Sequence, residues 1–587
     1  MKRQHPKWHI FFVQSSIGIG LAFASISLAA QNIDLDLTQN NAQVAVTTAH
    51  PLSTEAALKI LKQGGTAADA AIAAQLMLGL VEPQSSGLGG GGFLMHWHAE
   101  HKAITSFDGL ATAPKKVTET LATDVDGSKL PTLQMSRGGR SVGVPGTLPL
   151  LAKVHARFGK LAWPELFKPA LEAAVQGFPM PAYMHQILAV PGSAEAHPEL
   201  LHLYFDANQK VKAIGTPVVN LPYAQILQKI ALQGPSAVWT GDEGTALMAS
   251  LQKGYKPSLM NLQDLQNYQV EERQALCGPF LRYKVCVMPP PSFGGVVVLQ
   301  MLQMIEAKGK LLDKSPLFNQ AEFAHVFAEA GKLAQSDRQF YVGDPSFHQV
   351  PAQALVASTY LKQRSQLIQE QALPIYTAGQ PLPTAQADVA LQATLAAPSS
   401  DATTQLAVVD AAGNAVSMTT TNNLNFGSRL MAQGYILNNA LTNFASNPKP
   451  GEVSPNKMAP GKRPVTSMAP TMVFDQQGQL VTLGGSAGGG QIVDYVSANL
   501  IRMLALDQSP IEALSQGHIS TAVAQRVQLE KGTAAALLAE SLIAKGHKVE
   551  VVPMNSGMGF LKRSANGWTG AADPRRDGAA WGFNPTP

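Results

Sequence analysis

A β-hairpin near the middle of the chain constrains the possible folds more than any other feature of the sequence. Two strands, at 404–409 and 415–421, flank the loop Asp410–Asn414, which holds a glycine where a left-handed residue is needed. If the strands pair symmetrically about this loop, Thr403 lies opposite Thr421. A β-bulge could shift this register by one residue. The hairpin therefore predicts two hydroxyl groups that face each other across a sheet ladder.

The segment before the hairpin has the composition of a linker. Residues 382–400 are rich in Ala, Thr, Ser and Pro, with Asp401 just beyond them. In one interpretation, the facing threonines are a cross-strand pair that stabilises the sheet. In the other, the chain is cut after Ala402 and Thr403 becomes a new N-terminus. An α-amine has a pKa of about 8 and is a base on the same residue as the hydroxyl, so no histidine is required.

A glycine-rich motif further along offers a rival nucleophile. The segment Gly484-Gly485-Ser486-Ala487-Gly488 follows a predicted strand at Leu480–Leu483 and fits the nucleophile elbow of an α/β-hydrolase. The other two triad residues would be Asp507 and one of two downstream histidines, His518 or His547. However, the glycines continue to Gly490, and the upstream region does not alternate strands and helices as that fold requires. We favour a second interpretation, in which backbone N–H groups of these glycines form an anion hole before a helix.

The first 30 residues have the pattern of an export signal. A basic start leads into the apolar stretch Ile10–Ala30, which ends in the small-x-small pattern Ser27-Leu28-Ala29-Ala30. Gln14 and four serines interrupt this stretch, which favours a removed signal peptide, residues 1–29, over an uncleaved membrane anchor. No later segment offers about 18 uninterrupted apolar residues, so we expect no membrane span in the mature chain. The expected location is periplasmic or secreted.

Composition limits the possible partners. A chain of 587 residues that is 45% hydrophobic and 14% charged can bury one large domain or several smaller ones. The formal charge of +4 falls to +1 when Lys2, Arg3 and Lys7 of the leader are removed. This balance predicts no nucleic-acid partner and no anionic membrane surface.

The two cysteines are predicted to lie in a second hairpin. Residues 270–288 form two strands around a turn near Leu281-Arg282, and their pairing places Cys277 opposite Cys286. In an exported protein this arrangement favours a cross-strand disulfide over two free buried thiols. With no further cysteine in the sequence, a thiolate metal cluster is excluded.

The first third of the chain is predicted to be helical before a glycine-rich stretch. A helix at His50–Gly64 has Ser53 as its candidate cap. The glycines at 87–92 fit a dinucleotide-binding pattern, but a strand at Phe93–His98 follows where that site needs a helix. His96 and His98 alternate on this strand, and without a third ligand in register we expect exposed histidines rather than a metal site.

Several long motifs in the same order resemble the γ-glutamyltransferases, or glutathione hydrolases. These motifs are His50-Pro51-Leu52, Glu82-Pro83-Gln84 with the glycines that follow, Ser141–Gly146, Met288–Ser292, Gly461–Met468 and Asp573-Pro574-Arg575-Arg576. The resemblance covers nearly the whole mature chain. It implies an α+β fold of the N-terminal-nucleophile hydrolases, an αββα sandwich built from two chains of one self-cleaved precursor. The large subunit would span residues 30–402 and the small subunit residues 403–587, associated as a heterodimer.

The resemblance also implies roles for individual residues. Cleavage would fall between Ala402 and Thr403, and Thr403 would be the nucleophile, supported by Thr421. Gly488 and Gly489 would supply the oxyanion hole. The substrate-binding positions are Asn423, Asn443, Thr466 and Ser467, the last two near the substrate carboxylate. No cofactor and no metal ion is implied.

The sequence departs from the family where the substrate is held. Leu110, in Asp108-Gly109-Leu110-Ala111, occupies the place of an arginine that grips the substrate α-carboxylate. Ala440 and Asn443 occupy the places of Gln or Glu and of Asp, which grip the α-ammonium. Arg137, Arg140 and Arg429 are candidates to replace the missing arginine.

Three hypotheses for function follow. The first is a self-processing amidase or acyltransferase that cleaves γ-glutamyl or similar amides, with water or an amino acid or peptide as acceptor. The second keeps this chemistry but uses an acyl group without an α-amine, as in glutaryl-type acylases. The third is an uncleaved, inactive binding relative. Self-cleavage separates the third hypothesis from the first two.

Overall fold

The computed structural model describes residues 34–118, 121, 128, 130–192, 198–309, 320–382, 402–445, 454–523 and 526–585. The predicted signal peptide lies outside these residues, as does the predicted linker apart from Leu382. Among the described helices, none combines the length and the apolar character needed to cross a membrane.

The strands of the described chain, in order, are β1 (Leu35–Asp36), β2 (Val44–Thr48), β3 (Gly91–His98), β4 (Ala103–Gly109), β5 (Phe178–Pro179), β6 (Pro217–Val218), β7 (Glu271–Arg273), β8 (Leu276–Phe280), β9 (Tyr283–Val287), β10 (Ala402–Val409), β11 (Ala415–Asn423), β12 (Met431–Ala432), β13 (Tyr435–Ile436), β14 (Thr471–Phe474), β15 (Leu480–Ala487), β16 (Ile519–Ser520), β17 (Arg526–Glu530), β18 (Lys548–Val552), β19 (Gly557–Ser564), β20 (Gly567–Ala572) and β21 (Ala579–Phe583).

The α-helices of the same ranges are α1 (Pro51–Lys62), α2 (Ala67–Val81), α3 (Thr132–Met135), α4 (Thr147–Phe158), α5 (Lys168–Gln176), α6 (Ala182–Ala189), α7 (Pro198–Tyr204), α8 (Leu221–Gln233), α9 (Gly241–Leu251), α10 (Leu262–Gln266), α11 (Phe293–Glu306), α12 (Ala321–Tyr341), α13 (Ala352–Leu355), α14 (Ser358–Ser365), α15 (Ile492–Ala505), α16 (Pro510–Leu514) and α17 (Ala539–Ala544).

Two large sheets form the centre of the molecule. The first has eight strands in the order β1-β21-β2-β10-β11-β3-β4-β7, and the second has six in the order β20-β19-β15-β14-β9-β8. The predicted hairpin, β10 and β11, lies in the middle of the first sheet, and β10 packs against β15 and β19 of the second. The predicted pairing of these two strands is therefore confirmed.

Strand β10 shows how alternating residues build the layers. Leu406 and Val408 point into a core shared with helices α1 and α2, whereas Ala407 and Val409 point into the core between the two sheets. Helices α11, α12 and α15 cover the outer face of the six-stranded sheet through a third core. The order of layers is thus helix, sheet, sheet, helix, and the predicted αββα sandwich is confirmed.

The cysteine hairpin also forms as predicted. Strands β8 and β9 pair with Cys277 opposite Cys286, and the two sulfur atoms form a disulfide. Cys286 is fully buried in the core between the sheets. The disulfide links β8, at the edge of the six-stranded sheet, to the neighbouring strand β9.

The cap of helix α1 differs from the prediction. His50 caps this helix, since its Nδ1 accepts a hydrogen bond of 3.2 Å from Leu52 N. Ser53 lies inside the helix, where its hydroxyl donates to the carbonyl of Ala74 at 2.9 Å. The two polar residues are three positions apart, and the sequence pattern does not decide which one accepts from the free N–H groups of the first turn.

We expect His50 to contribute to the pH dependence of stability, because burial lowers its pKa to about 4 from an ordinary value of 6.5. A histidine that is neutral when buried contributes stability above pH 6.5, and this stability is lost as the pH falls towards about 4. The His50→Asn variant keeps a capping oxygen but cannot gain a proton. Its melting temperature should therefore fall less than that of the wild type between about pH 7 and about pH 4.5. Parallel melting curves for the two proteins would contradict this assignment.

Candidate active site

The open end of the β10–β11 hairpin brings two threonine hydroxyls together. Thr404 pairs with Thr420 and Ala402 pairs with Asn423, so the register shifts by one residue at Thr403. In this bulge the hydroxyl of Thr403 donates to Oγ1 of Thr421 at 3.4 Å. The two hydroxyls face each other as the sequence predicted, including the irregularity of one residue.

Thr421 connects the Thr403 hydroxyl to the peptide bond that precedes it. The Thr421 hydroxyl donates a hydrogen bond to the carbonyl oxygen of Ala402, and Oγ1 also accepts from Asn423 N at 2.8 Å. A hydroxyl donates one hydrogen and accepts through two lone pairs, so all its positions are used. The Ala402 carbonyl is polarised by a donor while the Thr403 hydroxyl lies beside that donor.

Asn423 is held by a loop that the sequence analysis only partly identified. Its backbone is left-handed, with φ of 80°, and its side-chain Nδ2 donates to Asn439 Oδ1 at 3.2 Å and to Thr442 Oγ1 at 2.8 Å. Thr442 and Asn443 share a short 3-10 helix, Ala440–Asn443. The predicted position Asn443 therefore adjoins a residue that contacts Asn423. Thr442 itself was missed, although it lies between the two positions that were compared with the family.

The predicted oxyanion glycines lie between a strand and a helix. Strand β15 extends to Ala487, and Gly488 and Gly489 follow with φ of 126° and 57°, values that favour glycine. A 3-10 turn at Gly489–Gln491 then leads into α15. This arrangement places the N–H groups of the loop at the N-terminal end of a helical segment, where negative charge is stabilised.

The structure does not support Ser486 as a nucleophile. The predicted strand at Leu480–Leu483 continues through Ser486, which is fully buried and pairs with Met558 of β19. The other residues of the supposed triad are separated. Asp507 forms an ion pair with Lys562, His518 bonds to Ser556, and His547 bonds to His325.

One member of the predicted carboxylate-binding pair contacts the glycine loop directly. The Ser467 hydroxyl donates to the carbonyl of Gly489 at 2.6 Å. Its neighbour Thr466 is also buried, and its carbonyl accepts from Phe293 N at 2.9 Å. Ser467, predicted to bind the substrate carboxylate, is therefore in direct contact with Gly489, predicted for the oxyanion hole.

Arg576 links the start of β10 to the strand that lies beside the glycine loop. Its Nη1 donates to the carbonyl of Thr403 at 2.9 Å, and its Nε donates to the carbonyl of Ser556 at 2.9 Å. The residue after Ser556, Gly557, pairs with Ala487 at the end of β15. The glycine loop thus begins beside the strand that carries Thr403.

Glu82 contacts the same end of β10 from the other side. Its Oε2 accepts from the Thr404 hydroxyl at 2.6 Å, and its Oε1 lies 3.8 Å from Arg576 Nη1. Burial raises the pKa of Glu82 to about 7, and the Arg576 charge and the Thr404 hydrogen bond oppose this shift. Both Glu82 and Arg576 belong to motifs noted in the sequence, but neither had an assigned contact there.

The position of the missing arginine is occupied by a core side chain. Leu110 is buried in the core beside the six-stranded sheet. Its neighbour Asp108 is fully buried and pairs with Arg273 at 2.8 Å and with Arg463 at 3.3 Å. These two arginines neutralise the buried carboxylate.

The three candidate replacements for that arginine separate into two places. Arg137 Nη2 and Arg429 Nη1 both donate to the carbonyl of Gly192, at 3.0 and 3.1 Å, and both line a cavity of about 510 Å³. The backbone carbonyl of Ser136, the residue before Arg137, accepts a hydrogen bond from Asn439 Nδ2 at 3.0 Å. Because Asn439 belongs to the loop that holds Asn423, the cavity adjoins that loop. Arg140 instead donates to the carbonyl of Pro257.

The histidines of β3 are not both exposed as expected. His96 is buried and stacks on Phe158 with ring centroids 3.7 Å apart, and burial lowers its pKa to about 3. This expectation was wrong because both faces of the eight-stranded sheet are covered. The side chains that alternate along β3 therefore enter packed layers on both faces instead of pointing into solvent. His98 is partly buried and stacks on His101.

Two groups of side chains in the described chain have ligand atoms close enough to hold a metal ion: His98, Glu100 and His101, and the buried His325, Glu329 and His547. In the buried group, His325 Nδ1 and His547 Nε2 form a hydrogen bond of 2.8 Å, and Lys332 Nζ donates to His547 Nδ1 at 2.9 Å. These nitrogen atoms are therefore already engaged by the protein, and neither group includes a residue of the β10–β11 site.

Comparison with known proteins gives consistent matches over most of the chain. The family model described as Gamma-glutamyltranspeptidase matches residues 53–583. The chain is 31% identical to the glutathione hydrolase proenzyme of Bacillus subtilis (strain 168) over 555 residues, which cover 92% of this chain and 91% of that protein. It is 33% identical to the acylase ACY 1 proenzyme of Pseudomonas sp. (strain SE83) over 544 residues, covering 91% and 92%.

The fold has a solved counterpart as well. The cephalosporin acylase from Bacillus halodurans superposes with a TM-score of 0.79 at 24% identity, covering 97% of this chain and 100% of that one. At this identity the superposition establishes a shared fold, and it does not by itself indicate a shared substrate.

Proposed function

The chain belongs to the γ-glutamyltranspeptidase family, and from this premise we propose that it is a self-processing amidase with Thr403 as its nucleophile. The observation that carries the proposal is the chain of hydrogen bonds from the Thr403 hydroxyl to Thr421 and from Thr421 to the Ala402 carbonyl. A structural pair of threonines needs no contact to the preceding carbonyl. A cleavage site needs both a nucleophile and a donor to that carbonyl.

Self-cleavage would proceed through an ester. Thr403 Oγ1 attacks the carbonyl carbon of Ala402, the bond from that carbon to the Thr403 nitrogen breaks, and the hydroxyl proton ends on the nitrogen. The Ala402 acyl group is then attached to Thr403 Oγ1. Water hydrolyses this ester, which releases the Ala402 carboxylate and leaves Thr403 with a free hydroxyl and a free α-amine.

The same hydroxyl would then cleave substrates. The α-amine accepts the Thr403 hydroxyl proton as Oγ1 attacks the amide carbonyl, and the backbone N–H groups of Gly488 and Gly489 stabilise the oxyanion. The C–N bond of the amide breaks, and the leaving amine takes the proton from the α-ammonium. Water, or the amine of an amino acid or peptide, attacks the acyl-Thr403 ester and restores the enzyme.

The two chains produced by cleavage, residues 30–402 and 403–587, would stay together as a heterodimer. In the eight-stranded sheet, β10 pairs with β2 and β11 pairs with β3, so strands of both proposed chains alternate within one ladder. Their separation would expose unpaired backbone groups and the apolar cores on both faces of this sheet.

The substrate is a γ-glutamyl amide or a close analogue, with Asn423, Asn443, Thr466 and Ser467 as the binding residues. The replacement of three charged or strongly polar positions by Leu110, Ala440 and Asn443 favours a second candidate, an acyl group without an α-ammonium, such as a glutaryl group. An acylase proenzyme among the relatives supports this candidate.

Electrophoresis of the purified protein under denaturing conditions tests the proposal first. We expect two bands, a large chain and a small chain of 185 residues, from Thr403 to Pro587. A single full-length band that hydrolyses no anilide would favour the uncleaved binding relative. The proposed export makes the periplasmic or secreted fraction the source for this measurement.

A further inference from the structure

The two motifs that contain Glu82 and Arg576 lie far apart in the sequence and meet at the first residues of β10. We propose that Glu82 and Arg576 are a positioning pair that holds the backbone of Thr403 and the side chain of Thr404, so that the nucleophile keeps its orientation before and after cleavage. The inference rests on the proposed function of Thr403.

The start of β10 needs such support because the sheet is incomplete there. In the described structure, β10 pairs with β2 over Leu406–Val409, so the residues from 403 to 405 lie beyond that neighbour. On the other side, the pairing with β11 is interrupted by the bulge at Thr403. After cleavage Thr403 would also be the first residue of a chain, and chain ends fray unless they are tied down.

Where β2 does not extend beside β10, the Arg576 side chain provides a hydrogen-bond donor instead. Its Nη1 hydrogen bond to the Thr403 carbonyl lies on the backbone of the nucleophile itself. This contact fixes the peptide plane that follows Thr403, and therefore the position of the Cα atom that carries its side chain and its amine. Misplacing a reacting group by about 1 Å can lower a rate by roughly 100-fold.

The guanidinium is itself fixed. Its Nε donates to the carbonyl of Ser556, and its Cζ lies over the ring of Tyr183, 4.6 Å from the ring centroid. A Cβ added to Gly557 would lie 2.7 Å from Arg576 Nε, so the side chain is tightly enclosed. Arg576 is thus held by groups outside β10, and it links the Thr403 carbonyl to Ser556, the residue that precedes β19 of the second sheet.

Glu82 completes the pair on the next residue. Its carboxylate accepts from the Thr404 hydroxyl and lies within ion-pair distance of the Arg576 guanidinium. The side chains of Glu82 and Arg576 are almost completely buried, at 3% and 1% exposure, so water competes little for either contact. The two residues therefore restrain successive positions of the strand.

Variants of Arg576 test this role against a matched control in the next residue. Arg575 forms a partly buried ion pair with Glu530, with a 2.6 Å contact to Oε1, and lies in the same turn. The Arg575→Gln variant should lower the melting temperature while leaving the self-cleavage half-time and kcat within about twofold of the wild type. An effect that comes only from destabilising this turn should therefore appear in Arg575→Gln as well as in Arg576→Gln.

We expect Arg576→Gln to slow self-cleavage and to lower kcat on an acyl anilide, each by roughly 10- to 100-fold, with KM within about threefold, since a charged donor to the nucleophile backbone is lost. Arg576→Lys should recover part of both rates because one donor returns. Thr404→Val, which keeps the shape of the residue, should slow cleavage by roughly three- to tenfold because only the bond to Glu82 is lost.

Equal rates for Arg576→Gln and Arg575→Gln would overturn the inference, as would a rise in KM with unchanged kcat. If Arg576→Gln does not fold, wild-type rates in both Arg576→Lys and Thr404→Val would overturn it. A wild-type protein that is never cut would instead overturn the proposed function, so the two failures are distinguishable.

Discussion

A Thr403→Ala variant is expected to remain a single chain and to lose amidase activity by a factor on the order of 10⁴ or more. The variant removes the atom that attacks the Ala402 carbonyl in processing and the substrate carbonyl in turnover, so one change abolishes both reactions. Self-cleavage is followed on denaturing gels over time, and activity is followed by release of aniline from an acyl anilide.

Two matched variants separate this result from general damage. Thr403→Ser keeps a hydroxyl at the same position and should still be cut, more slowly. Ser486→Ala removes the rival hydroxyl from the middle of β15 and should be cut and active at close to wild-type rates. Normal processing of Thr403→Ala together with an inactive Ser486→Ala would show that the glycine-rich motif carries the nucleophile after all.

The second large effect concerns substrate preference. A γ-glutamyl group would bring an ammonium into the proposed pocket, where the Asn443 side chain offers no charge and the Ala440 side chain offers no acceptor. A charge-assisted hydrogen bond contributes about 1.5–3 kcal/mol, so its loss weakens productive binding by roughly ten- to a hundredfold. A glutaryl amide lacks the ammonium and can still place its carboxylate near Thr466 and Ser467. We therefore expect a raised ratio of kcat/KM for glutaryl over γ-glutamyl anilide.

The Asn443→Asp variant should move this ratio back towards γ-glutamyl by roughly tenfold, since a carboxylate restores an anionic partner. Asn443→Ala is the neutral control, and it should leave the preference on the glutaryl side. Both anilides are measured side by side on the three proteins. A wild type that strongly prefers γ-glutamyl, with no change in Asn443→Asp, would mean that another residue binds the ammonium.

Local features of the site were predictable from the sequence. The β10–β11 hairpin and the cysteine hairpin follow from alternating apolar residues around short turns, and both registers agree with the pairs observed. In each case the interacting residues lie within about twenty positions of each other.

Contacts between distant parts of the chain were not predictable in this way. Glu82 contacts Thr404 across 322 positions, and Arg576 contacts Thr403 across 173. Periodicity carries no information about which remote side chains meet. The burial of His96 was missed for a related reason, since it depends on a helix, α4, that covers the other face of the sheet through Phe158.

The N-terminal residue of the small chain tests the central claim most directly. Mass spectrometry of the purified two-chain protein, after incubation with a slowly hydrolysed acyl amide, measures both the first residue of that chain and the site of any acyl group. We predict a chain that begins at Thr403, with the acyl group on its N-terminal peptide. A small chain that begins at another residue, or an acyl group attached elsewhere, would contradict the identification of Thr403 as the nucleophile released by self-cleavage.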